Sequence, residues 1–302
     1  MGTPAFAAVS LTALLESGNR PIAVFTNPDR RAGRGRPVRY SPVKEVALRE
    51  GLELFQPPTL SGPSLPDEIR AMRPDAIVVV AYGKILPAEL LEIPPLGCIN
   101  VHASILPRHR GASPIAHAIL AGDLTTGITT IRMDRGVDTG PVYMKREVAV
   151  PDGATTESLG SLLAPLGGDL LIATLRGLEA SVLEAVPQKT EGVTMAPKLS
   201  SKDGLLDFTM PAEVLERRVR AFHPWPGTYF KNNGATIKVL RAEVGGKVQS
   251  GMEPGEIQTA DGFLIACGDG RFLRLLEVQR QGRRAMAAAD FLRGFNVDLR
   301  ES

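Results

Sequence analysis

Gly97-Cys98-Ile99-Asn100-Val101-His102-Ala103-Ser104-Ile105-Leu106-Pro107-Arg108-His109-Arg110-Gly111 runs an apolar strand pattern straight into a proline- and arginine-rich turn. Asn100 and His102 are two apart, so on a strand both side chains leave the same face, setting an amide donor beside an imidazole. Ser104 to Pro107 has the composition of a loop at the carboxyl end of a strand, where open α/β sheets bind ligands. A polar strand end would also read Asn-x-His, so the flanking sequence has to decide.

Upstream, Ala76-Ile77-Val78-Val79-Val80-Ala81 is a continuous apolar run bounded by Pro74 and Gly83, the pattern of a parallel strand buried on both faces. It ends in a second strand-end loop, Tyr82-Gly83-Lys84-Ile85-Leu86-Pro87, so two neighbouring crests can frame one crevice. Downstream, Thr126 to Met133 alternates polar and apolar and leads into Asp134-Arg135-Gly136-Val137-Asp138-Thr139-Gly140-Pro141. A carboxylate among glycines is often only a turn residue, yet Asp138 could supply what the Asn100/His102 pair lacks, a group to orient and charge the imidazole. Ser113-Pro114 starts a helix that places His117 on an amphipathic face, and His109, in the turn, is expected in solvent. A long apolar helical stretch follows from Thr156 to Leu183, with an interruption expected at Pro165 to Gly168.

The amino terminus departs from the α/β pattern. Met1-Gly2-Thr3-Pro4 enters a helix at once, with Thr3 as the expected N-cap and Gly18 as the stop. Such a helix normally follows a buried strand, and the strand here, Arg20 to Thr26, comes after it. The reading is that a first strand is missing and the sequence is an amino-terminally shortened version of a functional chain.

The 302 residues are 43% hydrophobic and 23% charged, enough for two cores of ordinary size. A net charge of +2 names no nucleic-acid partner unless it is concentrated. It is concentrated in the loop from Asn27 to Tyr40, where Arg30, Arg31, Arg34, Arg36 and Arg39 crowd into a glycine- and proline-punctuated stretch with almost no acid. That loop is either a solvated flexible segment or a phosphate-contacting arm. Its Gly33-x-Gly35 neither follows a strand nor opens a helix, which excludes a dinucleotide-binding fingerprint. The two cysteines, Cys98 and Cys267, lie far apart in apolar runs and read as buried free thiols, so the cytoplasm is the expected compartment. No Cys/His spacing suits a metal, and no apolar run is expected to span a membrane.

Past an aperiodic stretch near residues 182–203, a helix from Ala212 to Phe222 precedes short strands near Thr236 to Val244, Gly255 to Thr259, Gly262 to Cys267 and Arg271 to Val278. Strands at that spacing suggest a small β-barrel, of which the five-stranded nucleic-acid-binding barrel is one candidate. The expected organisation is a doubly wound, mostly parallel α/β domain over residues 1–181, a linker over 182–203 and an OB-like barrel over 204–302.

Taken together, Asn100-x-His102, Ser104-Ile105-Leu106-Pro107-Arg108-x-Arg110-Gly111 and Val137-Asp138-Thr139-Gly140 resemble the 10-formyltetrahydrofolate-dependent formyltransferases. The resemblance implies a Rossmann-like first domain, Asn100, His102 and Asp138 as the catalytic set, and a folate site at Ser104, Ile105, Leu106 and Pro107. It implies that Tyr82, Gly83, Ile85 and Leu86 help enclose the pterin, with 10-formyltetrahydrofolate as donor and no metal. The arginine loop, the Arg220-Ala221-Phe222-His223-Pro224-Trp225-Pro226 segment and Ala196-Pro197-Lys198-Leu199-Ser200 look like the branch whose acceptor is the methionine carried by initiator tRNA. On that likeness Arg30, Arg31, Arg34 and Arg36 would contact tRNA. Rival acceptors are a nucleotide sugar or glycinamide ribonucleotide, and a tRNA-binding protein without turnover is the rival of another class. Replacing Arg34 by Ala should lower efficiency on charged tRNA and reduce the slope of log K against log salt by about one per lost phosphate contact, leaving folate affinity intact. An unchanged salt slope would mean that the loop does not touch the tRNA backbone.

Overall fold

A computed structural model describes residues 1–31, 38–62 and 64–294. Arg34 and Arg36 lie outside the described residues, and of Arg30 and Arg31 only the backbone is described. The chain divides into two compact units, one formed by residues 1–114, 125–149 and 160–197, the other by 115–124, 150–159 and 198–302.

In chain order the first part runs α1 (Ala5–Glu16), β1 (Val24–Phe25), β2 (Arg30–Arg31), β3 (Val38–Arg39), α2 (Pro42–Arg49), β4 (Leu54–Phe55), α3 (Leu65–Ala71), β5 (Ile77–Val79), α4 (Ala88–Leu91), β6 (Cys98–His102), α5 (Pro114–Ala121), β7 (Thr125–Arg132), β8 (Val142–Ala149) and α6 (Thr156–Glu179). The strands β1 and β4 pair in parallel, as do β5 and β6, whereas β7 and β8 continue the second sheet antiparallel. The β6 register sets Asn100 opposite Ile131 and His102 opposite Thr129 on β7. Ile99 and Val101, on the other face, are 0% and 3% exposed, so the apolar half of the alternation is sealed and the strand cannot slip by one residue.

Met1 and Gly2 stand between β1 and β5. The Gly2 N–H donates to Phe25 O at 2.9 Å, and the Val80 N–H donates to Met1 O at 2.9 Å. Gly2 bridges Val80 in parallel. Behind them, between residues 20–24 and 75–78, an apolar cleft of about 310 Å³ opens beneath Leu11 and Leu14 of α1. The helix itself has no side-chain cap, because the Thr3 hydroxyl expected there accepts instead from the Asn27 backbone and amide.

The interruption expected at Pro165 to Gly168 does not occur, since α6 runs through it for 24 residues. A Cβ on Gly168 would meet Ala13 Cβ at 2.9 Å and one on Gly167 would meet Val101 Cγ1 at 3.2 Å, so the two glycines let α6 close on α1 and β6 rather than break it. Pro165 faces solvent. Contrary to expectation, α6 is long and apolar enough to cross a membrane by length and composition, and 50% of its most apolar window is buried within the protein.

The second unit holds α7 (Ala212–Ala221), β9 (Thr228–Asn232), β10 (Ala235–Lys247), β11 (Ile257–Gln258), β12 (Phe263–Ala266), β13 (Arg271–Arg280), β14 (Met286–Ala287) and α8 (Ala288–Gly294). Its six strands form one antiparallel sheet in the order β11-β12-β13-β10-β9, with β14 also on β13. Leu215 and Val219 of α7 and Phe291 of α8 pack into a core with Phe230, Ile237, Phe263 and Leu273. The strand β9 was not expected; it is joined to β10 through Asn233 and Gly234, both at positive φ, the two-residue hairpin signal that an Asn-Gly pair carries.

The Met1 amine donates to Val78 O at 2.7 Å, and burial pushes its pKa down to about 5. An unfolded amine titrates near about 8. Between those values the unfolded chain holds a proton that the folded chain has released, so this group's contribution to stability is full above about pH 8 and is lost as pH falls toward 5. An extension of about eight apolar residues before Gly2 converts the amine to a peptide N–H and can fill the cleft with strand side chains. The extended chain should melt several degrees higher, with a lead that widens from pH 8 to pH 5. Equal melting temperatures across that range would show that the cleft costs the fold nothing.

Candidate active site

The strand β6 ends in a bend that turns the next nine residues back over its own carboxyl end. Thr129 of β7, fully buried, fixes that bend by accepting from the Leu106 N–H at 3.1 Å and donating to Ser104 O at 2.7 Å. Ser104 Oγ donates to Arg108 O at 2.6 Å, and Lys145 Nζ reaches Leu106 O. Ser104 and Leu106 are both 0% exposed, so their side chains hold the turn from inside, while Ile105 and Pro107 are half-buried.

Against this turn the 134–140 loop brings Asp138, whose φ of 52° lies in the left-handed region that side chains avoid. Its carboxylate accepts from Asn100 Nδ2 at 3.0 Å and from the Gly111 N–H at 2.8 Å, and its Oδ2 lies 3.5 Å from His102 Nδ1. A carboxylate accepts only, which fixes the Asn100 amide with its nitrogen toward Asp138. The second Asn100 N–H makes no hydrogen bond among the described residues. His102 Nε2 lies 2.9 Å from His109 O, and a carbonyl likewise requires the ring nitrogen facing it to carry the hydrogen. The imidazole is thus held at both nitrogens by oxygen acceptors, in a pocket that leaves it 5% exposed.

His109 corrects an expectation: it is 5% exposed, not in solvent. Its φ is 59°, its N–H donates to Thr194 Oγ1 at 2.8 Å, and its carbonyl is the one that anchors His102. The segment 186–196 is built into the site. Val186 and Val142 exchange backbone hydrogen bonds at 2.7 and 2.8 Å, and the Arg110 N–H donates to Thr194 O at 2.9 Å while Ala196 donates back to Arg110 O at 2.6 Å. Gly111, at φ 123°, has to be a glycine here, because a Cβ would stand 2.5 Å from Ala196 O. Between these two stitches Gln188 donates to Asp138 O at 2.7 Å and Gly140 O at 2.8 Å, and accepts from Arg110 Nε at 3.2 Å and Nη2 at 2.8 Å. Sequence reading missed Gln188 and Thr194, which lie in an aperiodic stretch, and nothing in their spacing marks them.

The neighbouring loop is divided. Tyr82 and Leu86 are 2% and 5% exposed and belong to the core around β5, whereas Ile85 stands 83% exposed at the tip and Gly83 takes a φ of 75°. Burial pushes the Tyr82 phenol up to about 12, and its Oη has no hydrogen-bond partner among the described residues. Among the described residues no group of His, Cys, Asp or Glu could hold a metal ion.

The arginine loop springs from a pinned base. Lys44 Nζ contacts Asp29 at 2.5 Å, and Gln56 donates to both Asn27 O and Asp29 Oδ1. The Lys44 ammonium first, then Gln56, hold the Asp29 carboxyl below its usual range. In the second unit Arg220 is taken up by Glu216 in a paired contact at 2.6 and 2.8 Å, and Arg218 by Asp203 O at 2.6 Å, while Trp225 is 61% exposed. Cys98 and Cys267 are buried free thiols, raised by burial to about 12 and about 11.

Comparison with known proteins bears on the whole chain. Residues 1–175 match the sequence profile of the formyl transferase family and residues 198–296 that of the formyl transferase C-terminal domain. The chain is 47% identical over 302 residues to the methionyl-tRNA formyltransferase of Symbiobacterium thermophilum, covering 99% of this chain and 92% of that protein. It is also 47% identical over 299 residues to that of Myxococcus xanthus, with 98% and 94% covered. Among solved structures, the N-formyltransferase from Helicobacter canadensis, in complex with folinic acid and dTDP-3-aminofucose, superposes with a TM-score of 0.67 at 16% identity over 92% of this chain and 97% of that one, a likeness of fold. With both profiles and full-length relatives in agreement, the chain belongs to the formyl transferase family.

Proposed function

We propose that this chain formylates methionyl-tRNA, moving a formyl group from 10-formyltetrahydrofolate to the α-amino group of methionine esterified to initiator tRNA, in the cytoplasm. The observation that carries the reading is the identity of nearly half of all residues with methionyl-tRNA formyltransferases along almost the whole of both chains. We assign the chemistry to Asn100, His102 and Asp138, and the folate site to the turn at Ser104 to Pro107 together with Tyr82, Gly83, Ile85 and Leu86. The exposed Ile85 side chain offers an apolar surface to a flat heterocycle. The tRNA contacts are assigned to the loop carrying Arg30, Arg31, Arg34 and Arg36, on charge alone.

The donor supplies a formyl carbonyl on N10. As the neutral amine forms its bond to the formyl carbon and the bond to N10 breaks, charge gathers on the formyl oxygen and one proton has to pass from the amine to N10. Asn100 offers the oxygen its second N–H, with the amide already oriented by Asp138. To His102, whose Nδ1 lies 3.5 Å from the same carboxylate, we assign the stabilisation of that charge and help with the proton. The Gly111 N–H keeps the carboxylate in place with a donor that cannot titrate.

Incubation with labelled formylfolate and charged initiator or elongator methionyl-tRNA, an amino nucleotide sugar, or glycinamide ribonucleotide tests the acceptor. Label on initiator methionyl-tRNA supports the reading; label on the sugar or the ribonucleotide replaces it, and tRNA binding without turnover would make the chain a binding protein. Asn100→Ala should lower kcat about 10²–10³-fold with folate binding largely intact. Asp138→Asn and His102→Ala should be at least as harmful, and the double variant should cost less than the product of the two, because the pair acts as a unit. Near-normal turnover in any of the three would remove that residue from the mechanism.

A further inference from the structure

We propose that Gln188 is a positioning residue for formyl transfer: its carboxamide ties the backbone of the Asp138 turn to the Arg110 guanidinium and thereby aims the Asp138 carboxylate at Asn100 and His102. The inference rests on the assignment of Asp138 to the chemistry. Each hydrogen-bonding capacity of the Gln188 side chain is used. Nε2 donates to the carbonyls of Asp138 and Gly140, and Oε1 accepts twice from Arg110. Two carbonyls can only accept and a guanidinium can only donate, so the amide has one orientation here and no rotated alternative.

The placement gives that bond its leverage. Asp138 sits at a φ of 52°, a conformation that has to be held from outside, and its own carbonyl is one of the two that Gln188 grips. Gly140, two residues on, is the other. On the far side Arg110 belongs to the turn that supplies the remaining anchors, since its neighbour Gly111 donates to Asp138 Oδ2 and its neighbour His109 holds His102 Nε2. Gln188 therefore joins the loop that carries the carboxylate to the loop that carries the anchors of both carboxylate and imidazole. The Val186 to Val142 pair and the Thr194 and Ala196 bonds to Arg110 fix the segment on either side of it. Gln188 itself is remote from Asn100 and His102 in bonding terms, contacting neither, so its effect would pass through Asp138.

Three variants test this in the full chain: Gln188→Met, which keeps the volume and removes every bond; Gln188→Glu, which keeps the acceptors for Arg110 but turns oxygen toward two carbonyls; and Asp138→Asn as reference. Melting temperature, kcat and KM for both substrates are measured for each, alone and combined with Asp138→Asn. Loss of alignment at a reacting group costs about 10–100-fold. Both Gln188 variants should lose kcat to that extent, with KM values changed less than about threefold, and should add little in the Asp138→Asn background. If Gln188→Met fails to fold, Gln188→Glu decides alone. A kcat near that of the parent, a rise in KM alone, or losses that multiply fully with Asp138→Asn would overturn the proposal, the last by showing that Gln188 only supports the fold. If Asp138→Asn itself turns over normally, the assignment of Asp138 fails, and the inference falls with it for that separate and visible reason.

Discussion

The site depends on finding donors for one half-hidden carboxylate. Asp138 has a side chain 15% exposed, and a carboxylate that far out of water is costly unless its lone pairs are satisfied. Two donors do so, from different stretches, the Asn100 amide from β6 and the Gly111 N–H from the turn, and the His102 ring stands 3.5 Å from the same carboxylate. Satisfying the carboxylate therefore assembles the cluster. The same bonds that make burial tolerable remove the rotational freedom of the amide and the imidazole, so preorganisation and desolvation have one cause.

What was legible in the sequence is what a strand's period of two and a strand-end turn can encode. Asn100 and His102 share a face because they are two apart, and Ile99 and Val101 are sealed for the same reason. The short strands of the second unit were legible through their glycine and aspartate turns. His109 was misread because polar residues in a proline-rich turn usually face water; here Thr194 and the His102 ring, 85 and 7 residues away, take its backbone groups. Gln188 was invisible for a related reason. Its partners lie 50, 48 and 78 residues away in sequence, and a lone glutamine has no periodicity to betray them. Pro165 and its glycines read as punctuation, but the decisive fact is how near Ala13 and Val101 come.

The opening of the chain shows the same limit from the other direction. Gly-Thr-Pro ahead of a helix reads as the turn after a strand, and Met1 and Gly2 do carry strand hydrogen bonds on both sides, to Phe25 and to Val80. Two residues suffice to join the β1–β4 pair to the β5–β8 sheet at the end where the site lies, while the opposite end, next to Ile22 and Ala76, is left as an apolar cleft. Those strand bonds lie at the end of the sheet nearest the cluster, and the residues lining the cleft include none of Asn100, His102 or Asp138.

The chemistry of the cluster also limits what it can say about the acceptor. Any amine attacking a formyl carbon develops charge on the same oxygen and gives up one proton, so an amide, an imidazole and a carboxylate serve every such acceptor equally well. The Helicobacter canadensis enzyme, in complex with an amino sugar nucleotide, shares the fold at 16% identity, which makes the fold no guide to the acceptor. Discrimination has to come from binding energy realised away from the reacting atoms, and a polyanion the size of a tRNA offers far more of it than a sugar nucleotide does. Those phosphates call for fixed positive charge on a stable footing. The arginine loop has such a footing, because Lys44 and Gln56 hold its root by two hydrogen bonds to Asp29 and one to the Asn27 carbonyl.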